Sequence, residues 1–151
     1  MAKNSHTIGH VVFIALYGTL IVSSILFYNS VGITPLLYAG GATLILGAIT
    51  VFWASQSRGK GSLVESGLYA FIRHPEFLGH MLIIFSLILL SQHPISLIIG
   101  VMLITLLYLA MLDEERRNVE KFGDAYIDYM KRVPRVNLLA GFIKRIYRRK
   151  V

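Results

Sequence analysis

Cysteine is absent from the 151 residues, which excludes disulfides, thiolate metal sites and a cysteine nucleophile together and leaves the redox compartment open. Charge is scarce too: Asp, Glu, Lys and Arg make up 15% of the chain, against 55% apolar residues. An ordinary soluble domain carries about 25% charged and ~45–50% apolar residues, so this composition points to a membrane rather than to a water-soluble core. No stretch alternates polar and apolar residues as half-buried strands do, which leaves helices as the spanning element. The first apolar run lacks a small-residue cleavage site and is followed at once by others. It is expected to be retained as a helix rather than removed as a signal peptide, the mature protein being the whole chain.

Four apolar runs are present, at about residues 10–28, 33–54, 77–91 and 95–112. About 18 to 20 apolar residues in a helix cover ~30 Å of hydrocarbon, so the expected fold is an all-α integral membrane protein of about four transmembrane helices. The third run is short and pairs with the fourth as a hairpin broken at Ser91-Gln92-His93-Pro94. Tyr38 and Trp53 fit interfacial positions, as do His10 and His93, and Ala39, Thr43 and Gly47 recur at fours as small residues do where helices approach closely.

The net charge of +7 is not spread as on a nucleic-acid-binding surface. Lys3, Arg58, Lys60, Arg73 and the basic residues from Arg116 onward flank apolar runs, whereas residues 29–34 and 91–94 hold no Lys or Arg. The positive-inside rule then places those two loops outside and both termini in the cytoplasm. The tail from Gly141 interleaves Phe142, Ile143, Ile146 and Tyr147 with Lys144, Arg145, Arg148, Arg149 and Lys150, a pattern suited to an amphipathic helix on anionic headgroups. The chain is expected to be one domain, with scaffold helices over 1–54, a chemical part over 55–135 and a basic amphipathic tail over 136–151.

Three polar features stand out against this scaffold. Arg73-His74-Pro75-Glu76-Phe77-Leu78-Gly79 sets charge and imidazole at a helix start made by Pro75, either as a cap with a snorkelling arginine or as an anion-docking end. Glu114 and Glu115 stand where the last apolar run ends, a place where carboxylates need a partner, either Arg116 and Arg117 or a cationic ligand. Arg116 and Glu120 have helix-pairing spacing, and the helix is expected to break at Gly123. A short helix then runs from Asp124 as cap to Arg132, stopped by Pro134, with Tyr126 and Tyr129 on one face for packing or as ring surfaces for a cation.

The order and separation of Leu63-Val64-Glu65-Ser66-Gly67-Leu68-Tyr69, Arg73-His74-Pro75 with Gly79, a helical hairpin, Glu114-Glu115, Phe122-Gly123, Tyr126, Tyr129 and Val133-Pro134-Arg135 resemble the isoprenylcysteine carboxyl methyltransferase and phospholipid methyltransferase superfamily. The resemblance covers about residues 61–135. It implies a membrane enzyme that transfers a methyl group from S-adenosylmethionine, leaving S-adenosylhomocysteine, to a lipid-borne or prenylated acceptor at the cytoplasmic face. It implies cofactor contacts at Gly61, Ser62, Leu63, Val64, Tyr69, His74, Pro75, Glu76, Phe77 and Glu114. An amine acceptor must lose a proton, and Glu115 and His74 are the catalytic candidates for that step, with no metal expected. Phe77 stands where the family often has tyrosine. Ala110 stands where eukaryotic prenylcysteine enzymes place a substrate-binding arginine, which keeps a phospholipid amine acceptor open beside a carboxylate. A non-catalytic membrane scaffold of the same fold is the alternative outside enzymology. His80, about two turns beyond His74, fits a packed histidine better than a catalytic one.

Overall fold

The computed structural model describes residues 2–57 and 61–148. These form six α-helices: α1 (Ala2–Leu26), α2 (Thr34–Gln56), α3 (Pro75–Ser91), α4 (Pro94–Phe122), α5 (Asp124–Arg132) and α6 (Leu138–Arg148). One 3-10 turn spans Gly67–Ala70, and no strand occurs among the described residues. Arg58, Lys60, Arg149 and Lys150, on which part of the charge reading rests, lie outside the described residues, as do the side chains of Lys3, Tyr147 and Arg148.

Three helical segments are long and apolar enough to cross a membrane: Gly9–Leu26, Thr34–Gln56 and Pro94–Phe122. At 17 residues α3 is shorter. With a rise of 1.5 Å per residue it reaches about 25 Å, less than ~30 Å of hydrocarbon. Large apolar side chains on these helices face outward, Ile25 being 71%, Leu26 72% and Tyr38 76% exposed. Such surfaces are costly in water and ordinary in lipid.

The chain divides into two compact units, Met1–Leu46 with Met81–Tyr108 and Gly47–His80 with Leu109–Val151. In the first, the turn after α1 and the turn between α3 and α4 satisfy each other's backbone. The Asn29 and Ser30 N–H groups donate to the Leu90 and Ser91 carbonyls at 2.8 and 3.0 Å. The Gln92 amide donates to the Ile33 carbonyl and accepts from the Ile33 N–H, both at 2.9 Å. His93 stacks on Phe27 with ring centroids 3.8 Å apart, and Ser23 and Ser96 hydroxyls bond at 2.7 Å. Polar turns that pair internally suit an environment poor in water.

One expectation on the helices changes in part. The close approach on α2 in this unit falls at buried Gly40, where a Cβ would lie 3.0 Å from Leu90, whereas Ala39 is exposed; Gly47 is buried as expected, its carbonyl 3.0 Å from where a Cβ on Gly79 would lie. The apolar span Gly9–Leu26 opens where the first run was expected, and α1 itself begins ahead of it at Ala2.

In the second unit, the face of α5 bearing Tyr126, Tyr129 and Val133 packs with Leu63, Val119, Phe122 and Met130. The spacing of three and four residues puts these groups on one stripe. Gly123, not Asp124, holds the cap position of α5; its φ of 57° makes the reversal out of α4, and Asp124 is the first helical residue. Gly79 lets α3 close on α2, since a Cβ there would lie 2.6 Å from Val51 Cγ2.

Candidate functional site

The site is built in the second unit from three segments distant in sequence. Pro75 starts α3, so Arg73 and His74 lie outside the helix just ahead of it. Pro134 ends α5 in the same way. The two proline-bounded segments then bond to each other: the Arg73 N–H donates to the Pro134 carbonyl at 3.0 Å and the His74 N–H to the Arg135 carbonyl at 3.1 Å. This juxtaposition brings three side chains to Glu115, two turns before the end of α4.

They converge on Glu115, whose side chain is 6% exposed. Arg135 contacts both carboxylate oxygens, through Nε at 3.1 Å to each and through Nη2 at 2.7 Å to Oε2. Arg73 Nη2 lies 3.1 Å from Oε1, and His74 Nε2 lies 3.1 Å from the same oxygen. Burial lowers the His74 pKa to about 4, with Glu115 pulling the other way. The ring is therefore neutral at physiological pH, with Nε2–H donating to Glu115 and the lone pair left on Nδ1. That Nδ1 stands 3.9 Å from Oε1 of Glu114. Phe77 meets the His74 ring edge-on at 5.5 Å and fixes its plane.

Glu114 points the other way, into a cleft of about 210 Å³. Gly61, Ser62, Leu63 and Val64 form one side of it and Tyr69 and Arg73 another, while α4 contributes Glu114, Asn118, Lys121 and Phe122 and α5 contributes Tyr126 and Tyr129. Tyr129 also ties the cleft together, its hydroxyl donating to the Tyr69 carbonyl at 2.6 Å. Burial raises the pKa of both Tyr126 and Tyr129, so they stay neutral phenols. Arg73 is buried, and its Nε and Nη1 have no hydrogen-bond partner among the described residues. A buried guanidinium with two unmet N–H groups beside a cleft is poised for an anionic partner.

Of the residues that the resemblance marks, Gly61, Ser62, Leu63, Val64, Tyr69 and Glu114 line this cleft. His74, Pro75, Glu76 and Phe77 are not among its lining residues: His74 stands behind Glu114, Pro75 is buried as the start of α3, and Glu76 lies in its first turn. Glu115 likewise faces the arginines rather than the cleft. Asn118 and Lys121 were not singled out in the sequence, although they sit four and seven residues after Glu114 and so on its face of the helix. An ion pair on this stretch joins Asp113 to Arg117, three residues ahead of the Arg116 and Glu120 spacing.

The model of a family described as protein of unknown function, DUF1295, matches residues 11–133. No curated protein and no solved structure matches the chain.

Proposed function

The chain belongs to the DUF1295 family, and from that premise we propose that it is a membrane-embedded methyltransferase that uses S-adenosylmethionine and acts on a lipid-borne acceptor, in the manner of isoprenylcysteine carboxyl methyltransferases. The observation that carries this reading is the meeting, at one cleft, of Gly61 to Val64, Arg73, Glu114 and the two tyrosines of α5, groups drawn from segments up to about 60 residues apart. Four crossings with both termini in the cytoplasm complete the reading, with α3 as a short fourth crossing.

The cleft fits the cofactor by its donor set. S-adenosylmethionine supplies a methyl carbon on a cationic sulfur, alongside an ammonium, a carboxylate and an adenine. Glu114 is the carboxylate for the cationic groups, and the ring faces of Tyr69, Tyr126 and Tyr129 suit a cation or a flat base. Arg73, with its unmet N–H groups, offers the matching charge for a carboxylate. The cleft is smaller than the ~300–1,000 Å³ usual for such ligands, so its walls must part to admit a whole cofactor.

The chain's own residues do the positioning that in-line displacement requires. Glu115 acts as a positioning residue: by drawing Arg73, His74 and Arg135 together it fixes the wall from which Glu114 projects. His74, its pKa lowered to about 4 and its ring set behind Glu114, is a weak base, so an amine acceptor has to react as the free amine. A carboxylate acceptor needs no base. The phospholipid amine alternative is favoured by Ala110, where a carboxylate-binding arginine is lacking.

The test is incubation of the purified full chain with methyl-labelled S-adenosylmethionine and a native lipid extract. Label entering the lipid fraction is expected, released by mild base if the product is an ester and retained in a headgroup if it is an N-methyl. An unlabelled lipid fraction, with intact protein recovered, contradicts the proposal.

A further inference from the structure

Outside that site, α6 docks in an unusual way for an amphipathic helix. Asn137 starts it, accepting the Ala140 N–H on Oδ1 at 3.0 Å. The edge that meets the rest of the unit is not the apolar one. Gly141 lies against the Phe71 backbone so closely that a Cβ would collide with its carbonyl oxygen. Arg145, one turn on, lays its guanidinium over the Phe71 ring at 4.5 Å from the centroid, and Phe142 stacks on the same ring at 5.0 Å.

Apart from the edge of Phe142 that meets Phe71, the apolar residues are left outside. At 100° per residue Leu138, Leu139, Phe142, Ile143 and Ile146 share an arc of about 140°. All are exposed, Leu139 by 79% and Ile143 by 56%. Under the helix lies a cavity of about 210 Å³ lined by Arg132, Lys144 and Arg145, with Glu65 as its one carboxylate. Glu65 is already engaged by Arg132 at 2.8 Å, so the lining keeps an excess of positive charge. The two cations left, Lys144 and Arg145, with Arg145 bordering the apolar arc, match a molecule with an anionic head and hydrocarbon tails.

We propose that this basic cavity binds the headgroup phosphate of an anionic membrane phospholipid, whose acyl chains lie along the apolar arc of α6. The chain's last helix is then a lipid-composition-dependent anchor for the second unit. The proposal does not rest on the methyl-transfer reading and survives if that reading fails.

The full chain, which has no cysteine of its own, allows one environment-sensitive bimane label at Leu139→Cys. In mixed micelles of phosphatidylcholine, rising mole fractions of phosphatidylglycerol should shift the label's emission to the blue along a saturable curve. Each basic residue near an anionic surface contributes about fivefold in affinity. Lys144→Gln and Arg145→Gln should each move the midpoint to about fivefold more phosphatidylglycerol, while Arg145→Lys, which keeps the charge, stays near the parent value. A midpoint that neither glutamine variant moves from the parent's overturns the proposal. So does a blue shift already complete without anionic lipid, as burial against a second copy would give. A full response to soluble glycerol phosphate alone assigns the cavity to free phosphate and overturns the lipid assignment.

Discussion

Glu115 is the side chain on which the second unit's polar interior turns. Alone, a buried carboxylate would be driven to protonate or to drag in water; here two arginines and a histidine meet it. Glu115→Ala strands the Arg73 charge and should cost about 3 kcal/mol, the low end for breaking a buried pair because Arg135 is a third exposed. For a chain of this length that lowers the unfolding midpoint in detergent by roughly 6–12 °C. Adding Arg73→Met should restore part of the loss, since it removes the stranded cation. His74 gives a pH signature. Its folded pKa of about 4 lies below the ordinary 6.5, so between those values the unfolded chain binds a proton that the folded chain does not. Stability therefore falls as pH drops from 6.5 to 4, by at most about 1.4 kcal/mol per unit, and the contribution levels off below 4. His74→Asn should flatten that part of the thermal midpoint's pH dependence; an unchanged slope would place the histidine elsewhere.

Between the helices, the joints decide where these side chains go. Tyr129 joins α5 to the 3-10 turn through the Tyr69 carbonyl. Tyr129→Phe should therefore cost about 1 kcal/mol of stability and loosen one cleft wall, measured as a lower unfolding midpoint. Much of this layout is legible in the residues. Pro75 and Pro94 mark the starts of α3 and α4, Gly123 marks the break before α5, and the tyrosine spacing marks its inner stripe. Asn118 and Lys121 were within reach of the same helical arithmetic applied from Glu114. The partnership of Arg135 with Glu115 was not: the two are separated by a chain reversal at Gly123 whose geometry no local pattern specifies. The choice between Ala39 and Gly40 as the contact on α2 fails for a related reason, because small residues surround that helix and only packing selects one face.

For the chain as a whole, the apolar exterior of α1, α2 and α4 and the paired polar turns suit lipid surroundings. Into that setting the second unit brings two clefts of different character, one with Glu114 and tyrosine faces, the other with three cations under α6. If the first cleft holds S-adenosylmethionine as proposed, titration of the purified full chain with S-adenosylhomocysteine, with a nicotinamide dinucleotide as control, is the sharpest test. Saturable thermal stabilisation by S-adenosylhomocysteine alone is expected, weakened at least about tenfold in Glu114→Gln, the loss of one charge-assisted contact. No stabilisation at any concentration, or the same affinity in Glu114→Gln, would contradict the proposal.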